Sequence, residues 1–238
     1  MKVERLFYTA AGAIFLILVV IGFQHYIFAG RHVDGTPIDP SMLATVVAHS
    51  SSIFVWYVLF FVQSLLISTQ NRRLHMKLGW SVLVIATMVA VTGPLVAIRS
   101  IRLRPGATVF DWPGPQFLLI LYTEMALFAT FVTLGVINRK RPRIHRPMML
   151  LASLSILTGA TGRIPLLNSI FGFHHWTALF GPVVALGALL LIVRWLMTRR
   201  LDRDFVVGYT ALVLITLLAT RLSLTNVWVN WAGIILKL

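Results

Sequence analysis

Histidine is the side chain here best suited to chemistry, and two of the seven histidines stand in matching turns. Phe61-Val62 … Ile67 … Arg73-Leu74-His75 recurs 70 residues on as Phe131-Val132 … Ile137 … Arg143-Ile144-His145. Each copy ends an apolar run, makes a basic turn and sets one histidine at the mouth of the next apolar run. A further echo follows, Thr92-Gly93-Pro94-Leu95 against Thr161-Gly162-Arg163-Ile164-Pro165-Leu166. Two hairpins of the same orientation place His75 and His145 at equal depth on one face of a membrane. Paired imidazoles at equal depth can ligate one haem iron, with Arg73 or Arg143 near the propionates. His49 with His174 or His175, toward the other face, could form a second site, and two stacked haems would make a transmembrane electron wire. The alternative is that a histidine beside arginine only anchors a helix end or meets lipid phosphate.

Charged and amide groups inside apolar runs form the second set of candidates, because polar groups are costly there. Glu124 lies eight residues past Gln116, so about 12 Å below the outer helix end at 1.5 Å per residue. Arg163 sits four residues before Leu167, about 6 Å below the outer end of the next helix. These depths predict a buried Glu124–Arg163 ion pair. It either neutralises two charges and fixes helix packing, or serves as a proton or substrate handle. Gln63, also within a span, reads as an amide bonding a neighbouring helix.

These residues need elements to hold them, and composition says which. The chain has 238 residues, 58% hydrophobic and 12% charged, which points to a polytopic membrane protein of all-α fold. Seven spans are expected, near 6–28, 47–69, 78–98, 116–137, 148–167, 176–197 and 205–220, in one integral membrane domain. Helices two and three, and four and five, form the repeated hairpins. Residues 223–238 continue the last helix or lie at the interface, anchored by Trp228 and Trp231. Leu6 to Ala29 is too long for a signal-peptide core and reads as a retained span. Asp202 and Asp204 suit the first turn of the last helix.

The net charge of +14 collects in short turns, so it reports topology and not nucleic acid. Lys2 and Arg5, Arg72 to Lys77, Arg139 to Arg146 and Arg194 to Arg203 share one side, predicted to be cytoplasmic with the amino terminus. The carboxyl terminus is then outside, and the expected location is a bacterial inner membrane. There are no cysteines, so disulfides, thiolate metal sites and cysteine nucleophiles are excluded. HExxH, Walker A and GxSxG signatures are absent. Thr158-Gly159-Ala160-Thr161-Gly162 reads as close helix packing.

The run His49-Ser50-Ser51-Ser52 … Gln63 … Arg73-Leu74-His75-Met76-Lys77-Leu78-Gly79-Trp80, with Arg143-Ile144-His145-Arg146-Pro147-Met148-Met149-Leu150-Leu151-Ala152 and Arg163-Ile164-Pro165, resembles a bacterial group. It is similar to the domain-of-unknown-function 2306 family and its relatives. The resemblance covers about His49 to Pro165 and implies a multi-helix inner-membrane protein, without an activity. The two-layer histidine layout also resembles the di-haem ascorbate-dependent cytochrome b architecture. There, four histidines on a four-helix core hold one haem near each face, roles that His49, His75, His145 and His174 would fill. The leading expectation is haem b or quinone-linked electron transfer through His75 and His145. Alternatives are a non-catalytic accessory subunit bound to other membrane proteins, and a small-solute or lipid carrier using Glu124 and Arg163.

Overall fold

A bilayer offers no hydrogen bonds to backbone, so apolar runs of this length become helices. The structure, a computed structural model, describes residues 2–31, 35–172 and 175–237 and is a helix bundle. The helices are α1 (Lys2–Ala29), α2 (Leu43–Ser68), α3 (Arg72–Leu103), α4 (Gly114–Ile137), α5 (Pro142–Ser155), α6 (Thr158–Thr161), α7 (Pro165–Phe171), α8 (His175–Thr198), α9 (Arg203–Ser223) and α10 (Asn226–Lys237). Six of them, α1 to α4, α8 and α9, are long and apolar enough to cross a membrane, as an integral membrane protein requires. Trp80, Val207 and Leu218 point outward, about 70% exposed, where lipid would cover them.

The expected fifth span is not one straight helix. α5 gives way after Ser155 to the short α6, and α7 then departs at 98°. Pro165 explains the corner. Its ring disfavours helix for the residue before it, and Ile164 is extended at φ −97° and ψ 108°. Pro165 itself suits the first turn of α7. Broken backbone at this depth is tolerable only when protein surrounds it. Thr158, Ala160 and Thr161 of α6 are buried, and α1 crosses directly over them. Gly22 makes the crossing possible, since a Cβ there would collide with the Ala160 backbone.

α5 lies at the centre, with Leu150, Leu151, Ala152 and Leu154 fully buried among Phe15, Trp56, Phe128 and Phe205. The two repeated hairpins are present: α2 packs on α3, and α4 on α5. Asn71 caps α3 by accepting from the Leu74 amide at 3.2 Å. Asp202 caps α9 through the Phe205 amide at 3.2 Å and also binds Arg194 at 2.6 Å. The segment after residue 223 is helical as α10, and Trp228 Nε1 donates to the Pro115 carbonyl at 2.8 Å.

The loop between α3 and α4 contains a small hairpin that the sequence did not suggest. β1 (Thr108–Val109) pairs antiparallel with β2 (Trp112–Pro113). Phe110 and Asp111 make the turn with φ of 49° and 67°, the double positive φ of a type I′ turn. The Phe110 ring presses on Gly162, where a Cβ would stand 2.9 Å from Cζ. The hairpin tip therefore covers the break between α6 and α7.

Candidate functional site

The paired histidines stand at the basic end of the bundle, at the amino ends of α3 and α5. His75 Nδ1 donates to the Gln63 carbonyl at 3.3 Å, and His145 Nδ1 donates to the Gly135 carbonyl at 2.8 Å. A carbonyl can only accept, so Nδ1 carries the hydrogen on both rings. In each neutral ring the lone pair is then on Nε2. The ring centres are 6.4 Å apart and the planes 83° from parallel. Each carbonyl belongs to the preceding helix of the same hairpin, so the hairpin itself sets the ring orientation.

Gln63 is the third member. Its side chain is buried, and neither amide atom has a hydrogen-bond partner. Trp56 of α2 donates to Ser153 of α5 at 3.2 Å. Gln63 is two turns beyond Trp56, and His145 is about two turns before Ser153 on the opposed helix, so Gln63 and His145 are at one level. Sequence reading assigned Gln63 to helix bonding; among the described residues its amide makes no such bond.

A metal held between two imidazoles needs a nitrogen–metal distance of about 2 Å on each side. With ~1 Å from nitrogen to ring centre, the ring centres stand about 6 Å apart. The observed ring separation of 6.4 Å matches that length, and on each ring Nε2 is the nitrogen not used by a carbonyl. Of the two arginines expected nearby, Arg73 is exposed, and Arg143 is engaged with Asp204 of α9 at 3.2 Å. An apolar groove of about 270 Å³ runs between α3 and α4, lined by residues including Leu83, Ala86, Val132 and Val136.

The other candidates gather at the far end. Glu124 is buried, 5% exposed, but the expected ion pair with Arg163 is not formed. Thr158 donates to Glu124 Oε1 at 2.6 Å, and among the described residues Glu124 makes no other hydrogen bond. Arg163 sits in the turn between α6 and α7 and donates to the Gly159 carbonyl one turn back. Its guanidinium lies over the rings of Phe23 and Tyr26 of α1, at 4.8 and 5.5 Å. The corner at Pro165 turns the arginine toward α1, and the threonine on α6 meets the carboxylate instead.

His49 is half-buried on α2. Its Nδ1 lies 2.9 Å from Thr92 Oγ1, whose own hydrogen goes to the Met88 carbonyl at 2.6 Å. The His49 nitrogen must then be the donor, which leaves Nε2 without a partner. The second haem expected at this end is not assembled from His49 and His175. His175 packs against Trp112 at 5.1 Å, with its amide on the Phe110 carbonyl at 3.0 Å, and no ring contact or hydrogen bond joins it to His49. His174 lies outside the described residues. Among the described residues no group of three or more histidines or acids could hold a metal ion.

Sequence reading missed Thr158 and Thr92, the partners of Glu124 and His49. The available signal was a hydroxyl in an apolar run, and most such hydroxyls bond their own helix, as Thr87 does with Leu83 at 3.0 Å. Comparison with known protein families, with curated proteins and with solved structures yields no match, so the functional reading rests on this geometry.

Proposed function

We propose that this is an integral membrane electron-transfer protein carrying a b-type haem at its basic end, with His75 and His145 as axial ligands. One observation carries the reading: two histidines donate Nδ1 to backbone carbonyls, which leaves Nε2 on each ring for another partner, at a ring separation of 6.4 Å. Such a haem supplies a one-electron redox centre. The chain's own residues do the rest. The Gln63 and Gly135 carbonyls orient the imidazoles and raise the basicity of Nε2. The unpartnered Gln63 amide offers a hydrogen bond to whatever occupies the space beside His145. Arg72, Arg73 and Arg146 in the same turns supply positive charge for acidic substituents. By the positive-inside rule this end faces the cytoplasm.

The test is an absorbance spectrum of protein purified from haem-replete cells. A Soret band is expected, lost in His75→Ala and in His145→Ala and retained in His25→Ala, since His25 is exposed at the far end of α1. A colourless wild-type preparation with no iron by elemental analysis would sink the reading.

A further inference from the structure

At the far end, three groups that ought to satisfy one another do not. Glu124 has one oxygen on Thr158 and no partner for the other. Arg163 has five N–H donors, of which one is used, by Gly159. His49 keeps an Nε2 lone pair. Intermediate contacts link the elements that carry them. His49 and Met125, which adjoins Glu124 on α4, both close on Gly93 of α3, where a Cβ would stand 3.3 Å from His49 Cε1 and 2.6 Å from Met125 Sδ. Thr158 links Glu124 to α6, and Arg163 follows directly after α6.

A buried carboxyl and a nearby guanidinium that do not touch are costly in apolar surroundings unless something joins them. The aromatic faces of Phe23 and Tyr26 hold Arg163 in place without neutralising it. A bridging molecule would need an oxyanion for the guanidinium fork and a hydrogen-bond donor for the Glu124 oxygen or His49 Nε2. Both groups must lie close together on a small body, since the hairpin tip at Phe110 closes over Gly162 beside the arginine.

We propose that Arg163, Glu124 and His49 form a binding site for a small organic acid bearing a hydroxyl or amino group next to its carboxylate. The carboxylate takes the free N–H groups of Arg163. The neighbouring donor takes Glu124 or His49. The site lies at the opposite end of the bundle from the paired histidines and does not depend on any cofactor there.

The test is calorimetric titration of the full chain in phosphatidylcholine nanodiscs, whose lipid carries no carboxylate. Glycolate and glycine should each bind at least about tenfold more tightly than acetate. Arg163→Gln should weaken glycolate binding at least about tenfold, and Arg163→Lys should weaken it less, keeping charge without the bidentate fork. A Glu124→Gln, His49→Ala double variant should bind glycolate and acetate equally. His75→Ala should bind glycolate as the wild type does, which separates this site from the haem. No saturable binding of any of the three, or glycolate binding no tighter than acetate in the wild type, overturns the proposal, and water alone then bridges the groups. If Arg163→Gln does not yield monodisperse protein, the wild-type glycolate-to-acetate ratio and the Arg163→Lys affinity decide.

Discussion

At the scale of single residues, the far-end carboxyl depends on one hydroxyl. Among the described residues Thr158 is the sole hydrogen-bond donor to Glu124, and both are buried. Thr158→Val keeps the shape and removes the donor, so it should cost about 1–2 kcal/mol. Thr158→Ser keeps the hydroxyl and should cost less. Thermal unfolding of the two variants in one detergent would show the difference; equal loss would mean that packing, not the hydroxyl, matters. The residue scale is also where sequence reading was most and least informative. Equal placement of His75 and His145 was legible, because the motif and the topology repeat together. The Glu124–Arg163 contact was not. Depth along two helices was estimated correctly enough to bring the charges near, but depth carries no direction, and the turn at Pro165 aimed the arginine at α1.

At the scale of elements, close crossings rest on glycines whose surroundings differ sharply. Gly22 abuts the α6 backbone, whereas a Cβ at Gly79 of α3 would meet nothing within 4 Å. Gly22→Ala should therefore push α1 from α6 and cost roughly 1–3 kcal/mol or more, since backbone cannot move aside as a flexible side chain can. Gly79→Ala should instead stabilise by up to about 1 kcal/mol through helix propensity. Denaturation midpoints of the two variants should move in opposite directions. Element boundaries were readable wherever a cap or a basic turn marked them, as at Asn71 and Asp202. The corner at Ile164-Pro165 was written in the sequence as a proline three residues after Gly162. The apolar run from Met148 to Leu157 and the apolar residues Leu166 and Leu167 hid it. The hairpin at 108–113 had no such mark, because Phe-Asp occupies a turn that Asn-Gly usually announces.

At the scale of the whole molecule, the bundle has one strongly basic end, and the chain contains no cysteine. Single cysteines can therefore be introduced on an empty background. Lys140→Cys, in the basic turn between α4 and α5, should label only from the cytoplasmic side. Gly106→Cys, exposed in the loop between α3 and α4, should label only from outside. Impermeant and permeant thiol reagents applied to intact cells distinguish the two, and the reverse pattern would invert the topology. The bundle class was legible from composition alone, since apolar runs of this length have few other folds. Their mutual packing was not, because lipid-facing and protein-facing leucines look alike in sequence.

The bend at Pro165 has a consequence for the membrane itself. A helix turned 98° from an upright span would run along the bilayer plane, and α7 carries Leu166 and Ile170, four residues apart, both about two-thirds exposed. That short cylinder occupies area in one leaflet only. An amphipathic element lying in one leaflet makes binding sensitive to curvature, so α7 would tie this protein's placement to the shape of the membrane.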